Sequence, residues 1–389
     1  MTAPPADPAS LASPPEKPRR LAILGTRGIP ANHSGFETLA EFLAPYLVER
    51  GWDVEVYCQD EGEGGPETWK GVALRHVKVD YRGSPGSIIF DWRSTKIAAR
   101  RDRLILTLGY NTAIFCVLYR LLGRRNIMNM DGIEWIRAKW PLPVKAWYYV
   151  NEWLGAWLAN HLIADHPEIA NHLARRAPRR KTTMIPYGAS HVESGDPNLL
   201  RRFGLEPNEY VIMVCRAEPE NSVLDIVSAF SRRARGIKLA VVGRYDFDGH
   251  RYHRKVKAAA SDEVVFTGGV YDSAVLPSLR FFACLYVHGH RVGGTNPTLI
   301  EAMGAGNAVL AHDNKYNRWV AGAAACYFRD SDSCARALDE LLAAPNILQR
   351  MGLASRRRHA ERFTWDRVLR EYEALLLAHA DQDSFDIRS

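Results

Sequence analysis

Cysteine is sparse and scattered in this chain of 389 residues. The six thiols, at positions 58, 116, 215, 284, 326 and 334, mostly sit inside apolar runs and form no C-x-x-C pair. That excludes a disulfide framework and a zinc site, and it suits reduced structural thiols in a cytosolic protein. Long apolar runs are missing as well. The richest, AIFCVLYRLL (113–122), is too short to span a bilayer and contains Arg120, so no transmembrane helix is expected and any membrane contact must be peripheral. Two phosphate-binding signatures are also missing. Gly25, Gly28 and Gly35 fit neither the dinucleotide fingerprint nor the P-loop, which needs a lysine after its last glycine, so a nicotinamide cofactor is disfavoured. The net charge of +7 suits anionic partners. Yet no helix-turn-helix, zinc-finger or RNP pattern accompanies the basic runs at 175–181, 232–235 and 356–358, so no nucleic-acid partner is expected. The DFD triplet (246–248) is a loop pattern that recurs by chance, and no metal is expected there. Finally, no internal repeat of 20 to 50 residues is evident.

What is present is an alternation of short apolar runs with helix-period segments, the mark of a parallel sheet covered by helices. Residues 1–19, rich in Pro, Ala and Ser, are expected to be a disordered tail and not a signal peptide. LAILGT (21–26), DVEVYC (53–58), LILTLG (104–109), NIMNM (126–130), HLIAD (161–165) and TTMIPYG (182–188) predict the strands of a first domain over 20–188. FETLAEFLAPYLVERG (36–51) has Phe36, Leu39, Leu43 and Leu47 on one face, an amphipathic helix. Residues 189–209 are polar with two prolines and read as a linker. YVIMVC (210–215), LAVVG (239–243), VVFTGG (264–269), CLYVHG (284–289) and AVLAHD (308–313) then build a second domain over 210–365. Residues 366–389 are expected to be a terminal helix and tail returning to the first domain. The fold class is therefore α/β, with two doubly wound Rossmann-like domains facing a central crevice, where such folds bind ligands.

Four stretches carry candidate chemistry. In HGHRVGGTNPTLIEAMGAG (288–306), Asn296 and Pro297 begin a helix behind Gly293 and Gly294, so the amides there can cradle a phosphate; an ordinary capped strand-to-helix turn is the competing account. In GTRGIPANHSGFET (25–38), Arg27 can meet an anion, Gly35 can admit a diphosphate or sugar at a helix start, and Glu37 is a first-turn acid; a simple glycine turn fits equally. Arg216 directly follows a strand, well placed to neutralise a phosphate, although surface salt bridges are the commoner use. NMDGIEWIRAKW (129–140) sets Asp131 and Glu134 beside Trp135 and Trp140, suiting saccharide binding or acid/base work as well as an Asp-Gly turn. Five of the ten tryptophans fall within 135–157 among Arg137, Lys139 and Lys145. That segment suits a membrane surface or a lipid-linked acceptor, or else Trp147, Leu154 and Trp157 are the core face of a helix.

Taken together, GTRGIPANHSGFET, MDGIEWIRAKW, AEPEN (217–221) and HGHRVGGTNPTLIEAMGAGNAVLAHDN (288–314) give a chain that resembles the GT-B glycosyltransferases of family 4, in the bacterial rhamnosyltransferase-like subgroup that begins with GTRGIPA. The resemblance spans roughly residues 20–375. It implies a nucleotide-sugar donor held by the second domain, an acceptor held by the first, and transfer with retention and without a metal. The donor set is then Gly28, Gly35, Arg216, Asn221, Gly293, Gly294, Thr295, Asn296 and Glu301, with Glu301 on the ribose. The acceptor set is Arg27, Ser34, Glu37, Glu134 and Trp135, and Arg216, Asp131, His288 and His290 are the candidates nearest the reaction. Three positions depart from the wider family's pattern. Asn221 stands where a lysine is usual, Gly293 where a glutamate is usual, and Ser34 where Gly-Gly is usual before Phe-Glu.

The function expected from this resemblance is transfer of a sugar, L-rhamnose from dTDP-rhamnose, to a saccharide or lipid-diphosphate-linked saccharide in surface polysaccharide assembly. The enzyme is expected to be cytoplasmic, peripheral on the inner membrane face. Asn221 and Gly293 motivate two alternatives, a nucleotide-sugar-binding protein without catalysis and a GT-B nucleotide-sugar epimerase.

Overall fold

The computed structural model describes residues 18–31, 34–62, 64–81 and 83–380. Most of the N-terminal tail, the Asn-His pair inside the first glycine-rich motif, and the polar tail from residue 381 lie outside the described residues.

The first sheet contains β1 (Arg20–Leu24), β2 (Asp53–Asp60), β3 (Thr68–Trp69), β4 (Val72–Lys78), β5 (Leu104–Leu108), β6 (Asn126–Asn129), β7 (His161–Ala164) and β8 (Thr182–Met184). Its order is β3-β4-β2-β1-β5-β6-β7-β8, parallel except for the β3–β4 pair. The strands are apolar on both faces because helices cover both: Leu21 and Ile23 face one core, Ala22 and Leu24 the other. The second sheet, entirely parallel, contains β9 (Tyr210–Val214), β10 (Lys238–Val242), β11 (Val264–Gly268), β12 (Leu285–His288), β13 (Ala308–His312) and β14 (Cys326–Phe328). Its order, β11-β10-β9-β12-β13-β14, reverses direction between β9 and β12. The loops leaving those two strands therefore diverge and open a crevice at their carboxyl ends.

One segment differs from the sequence-based expectation. Residues 189–209 are polar on average, but a short helix (Asn198–Arg201) lies within them, and Leu200 and Leu205 are buried in the second-domain core. The apolar residues of LLRRFGL override the composition of their surroundings. The terminal helical segment is two helices, Pro345–Arg362 and Trp365–Ala380. The chain breaks at Phe363, whose carbonyl accepts the Ala189 amide, and helix Trp365–Ala380 crosses to the first domain. There Trp365, Val368, Leu369, Tyr372 and Leu376 join the core that contains β1, with Trp365 stacked on Phe42 at 4.5 Å. At about 1.5–3 kcal/mol per buried large side chain, this crossing ties the two domains together.

Candidate active site

A cleft of about 850 Å³ separates the two domains and is lined by both. From the first domain come the start of helix Gly35–Val48 and the loops after β6 and β7; from the second, the loops after β9 and β12 and the start of helix Pro297–Gly304. The two helices begin against each other. A Cβ on Gly35 would lie 3.6 Å from the Pro297 ring and 3.4 Å from Tyr187, whose hydroxyl donates to the Gly35 carbonyl at 2.7 Å. Two helix N-termini thus point their positive ends into one space.

Arg216 projects into that space from the end of β9. It is exposed, and among the described residues its guanidinium has no hydrogen bond or ion pair, so its charge is available to a ligand. Asn221 lines the cleft wall but, unlike the usual lysine, brings no charge to it. Its side-chain amide donates to the Arg216 carbonyl at 2.9 Å and holds the arginine's loop, while its Oδ1 stays buried without a partner. Arg137 behaves differently. It joins Glu134 of the first domain at 2.6 Å to Glu220 of the second at 2.7 Å, and all three are largely shielded from solvent. Arg137→Ala would leave both carboxylates without their shared cation, so a loss on the order of 3 kcal/mol is expected, read as a lower urea midpoint.

The phosphate loop is more occupied than its sequence suggests. Asn296 caps helix Pro297–Gly304, its side chain accepting the Thr298 amide at 3.1 Å, and the amides of Gly294 and Asn296 are unbonded among the described residues. The Thr295 amide, however, donates at 2.9 Å to Asp165, which leaves the end of β7 in the other domain. Gly294 is required for that approach, because a Cβ would lie 2.1 Å from Asp165 Oδ1. That oxygen has no partner. Burial, together with the charge of Asp131, pushes the Asp165 carboxyl up to about 7. Asp165 is a cleft residue that sequence reasoning missed: HLIAD shows only an acid ending a strand.

Asp131 also lines the cleft, with φ of +51°, a left-handed conformation held by its amide donating to Asn129 Oδ1 at 3.0 Å. Burial and then the neighbouring Glu134 raise its carboxyl to about 6. Glu134 is fixed by Arg137 and by the Trp140 indole, which donates to it at 3.0 Å. His290 faces the cleft and stacks on His288 at 4.4 Å. Burial lowers His290 to about 3 and holds His288 well below the ordinary imidazole value, so neutral rings, not cations, are available near pH 7. His288 lies behind its partner and does not line the cleft. Glu301 does line it, oriented by an ion pair with the buried Arg280.

Several candidates lie elsewhere or serve the scaffold. Ser34 lines the cleft but spends its hydroxyl on the Glu37 amide at 3.2 Å, and Glu37 returns its carboxylate to the Ser34 amide, a capping box that buries Glu37. Gly28 adopts φ of +125° against Cys58, and Arg27 is exposed; neither reaches the cleft. The Trp135 indole donates to Glu152 at 2.9 Å outside it. Gly293 remains open: nothing lies within 4 Å of a Cβ placed there. A further wall, Gly243–Arg244 and Gly269–Tyr271, continues the cleft into the second domain, with Arg244 over the Tyr271 ring at 5.5 Å. Among the described residues no group of three or more His, Cys, Asp or Glu is placed to hold a metal ion.

Two Rossmann-like domains around such a cleft define the GT-B fold. Sucrose-phosphate synthase from Thermosynechococcus elongatus superposes with a TM-score of 0.77 at 17% identity, covering 92% of this chain and 98% of that one. Anabaena HepE in complex with UDP-glucose gives 0.74 at 14% identity, covering 92% and 99%. An α,α-trehalose-phosphate synthase (UDP-forming) from Burkholderia xenovorans, in complex with glucose-6-phosphate, gives 0.68 at 12% identity, covering 92% and 100%. Residues 18–190 match a domain of unknown function, DUF1972, and residues 208–344 match the family described as Glycosyl transferases group 1. Comparison with curated protein sequences yields no match. The fold and the group 1 domain together support a glycosyltransferase of the GT-B type.

Proposed function

We propose that this chain transfers a sugar from a nucleotide diphosphate to a saccharide acceptor across the interdomain cleft. The observation that carries the proposal is the unpaired Arg216 facing two converging helix N-termini, an arrangement suited to a diphosphate. The nucleoside fits the second-domain wall, with the base against Gly243–Arg244 and Gly269–Tyr271 and the ribose hydroxyls on Glu301. The diphosphate then lies between Arg216 and the amides of Gly294 and Asn296. Departure of the nucleotide is helped by charge placed in advance of the reaction. The acceptor approaches from the first domain, where Asp131, with its raised proton affinity, can take the proton of the attacking hydroxyl. Neutral His290 offers a hydrogen bond to the sugar.

The GTRGIPA opening supports L-rhamnose from dTDP-rhamnose as the donor, with retention of configuration, and a lipid-diphosphate-linked saccharide of surface polysaccharide assembly as the acceptor. A thermal-shift screen of dTDP- and UDP-sugars tests the donor, since a ligand at one hundred times its dissociation constant stabilises by about 2.7 kcal/mol. Absence of a shift with every nucleotide sugar would overturn the site. Incubation of the stabilising donor with and without a lipid-linked acceptor then separates the activities. Transfer needs the acceptor, an epimerase converts donor alone, and a binding protein does neither.

A further inference from the structure

Helix Leu142–Leu158 is built inside out. Its buried residues are Asn151, Glu152, Gly155 and Ala156, small or polar. Its outward stripe, by contrast, is apolar: positions 142, 146, 149, 150, 153 and 157 recur at helical spacing on one face and are all exposed, Leu142 to 81% and Trp157 to 76%. An ordinary surface helix does the reverse. This also sets aside the alternative that Trp147 and Trp157 lie on a core face, because Trp147 too is exposed, its indole donating to the Asn111 carbonyl. The polar inner face is explained by Glu152, which gathers Trp135, His172 and Arg176 at 2.8–2.9 Å. On the aromatic outer face Tyr149 meets Trp135 edge-on at 5.3 Å, but Leu142, Val150 and Trp157 stay half or more exposed.

The stripe widens at its far end. Arg120 donates to the carbonyls of Trp157, Leu158 and Ala159, which ties the segment carrying the exposed Leu121 and Leu122 to the end of this helix. Cations ring the patch. Lys181 donates to the carbonyls of Ala156 and Trp157, Arg176 lies over the Trp153 ring at 4.4 Å, and Arg175, Arg179 and Arg180 are exposed nearby in sequence. Across residues 113–124, 142–158 and 175–181 the sole acid is the buried Glu152. Exposed tryptophans with a rim of one positive sign match the boundary between acyl chains and anionic headgroups. A second copy of the chain fits poorly, since a two-fold contact would set this cationic rim against itself. Among the described residues no helix is long and apolar enough to cross a membrane.

We infer that the outward face of helix Leu142–Leu158, with Leu121 and Leu122, docks on an anionic lipid surface by burying its tryptophans and pairing its arginines with headgroups. The helix enters from Trp140, whose indole reaches Glu134 in the cleft, so docking brings the first-domain side of the cleft toward the bilayer. That step alone rests on the transferase reading. The test is flotation of the full chain with phosphatidylcholine vesicles and with mixed phosphatidylcholine–phosphatidylglycerol vesicles. Binding to the mixed vesicles is expected, weakening with added salt. W153Q/W157Q should abolish most of it with an unchanged melting temperature, the rings being exposed. R179Q/R180Q should weaken it roughly 25-fold, about fivefold per cation, and keeps the test valid should the tryptophan variant fold poorly. No flotation with the mixed vesicles, or flotation unaffected by both variants, overturns the proposal. So does a dimer in sedimentation velocity that W153Q/W157Q dissociates. None of these readouts depends on catalysis.

Discussion

Arg216→Ala is expected to lower turnover by roughly 10²–10³-fold while leaving the melting temperature within a degree or so of the parent. The two halves of this expectation have one cause. Arg216 has no ion pair or side-chain hydrogen bond among the described residues, so its removal strands no buried partner. Its only bonded atom of consequence is its carbonyl, held by Asn221, and alanine keeps that bond. The catalytic loss follows because a cation fixed beside the departing diphosphate does most for the transition state, where negative charge accumulates. Arg216→Lys should recover part of the rate, since a point charge remains but the fork is lost. Asn221→Ala supplies a complementary case: it frees the Arg216 loop without removing charge, so activity should fall less than in Arg216→Ala. Initial rates with the donor selected by thermal shift, alongside melts of each variant, measure all three. Full activity in Arg216→Ala would remove the diphosphate site from this cleft.

The fold was legible because each buried strand is a short apolar run and each connecting helix has its own period. LAILGT and YVIMVC lie where β1 and β9 form, with ends displaced by one or two residues. The stretch VALRHVK was less legible: β4 carries Arg75 and His76 among its apolar residues and lacks the continuous run that marked its neighbours. Within the site, residues whose role is set by local sequence were found. Asn296 and Pro297 start a helix by short-range rules, and Arg216 reaches the cleft because it ends a strand. Local sequence misled where the partner is distant. The Thr295 amide was expected for phosphate, and the structure pairs it with a carboxylate 130 positions away. Local sequence also leaves Trp157 open between a core face and an outward surface, and it is exposed because the helix it belongs to buries its small face instead. Neither outcome can be read without knowing what lies opposite.

Asp165→Asn should melt at the same temperature as the parent near pH 4 and several degrees higher at pH 8. An ordinary carboxyl titrates near 3.8, whereas burial and the charge of Asp131 lift this one to about 7. The folded protein therefore holds the proton over a window in which the unfolded chain releases it. Stability from this group is complete below the lower value and is lost as pH rises through the upper one, with a total of up to a few kcal/mol. Asparagine keeps an oxygen for the Thr295 amide and cannot ionise, so it escapes the loss. The same charge governs the ligand. Once ionised, Asp165 sits on the loop that the donor diphosphate must reach, and two anions there oppose each other. Binding of UDP or dTDP, followed by calorimetry, should weaken in the parent as pH rises through about 7, relative to Asp165→Asn. Comparing the two proteins at each pH cancels the titration of the nucleotide's own phosphates. Parallel binding profiles for parent and variant would show that Asp165 does not share the diphosphate's space, and coincident melts at pH 8 would show that its proton is not held.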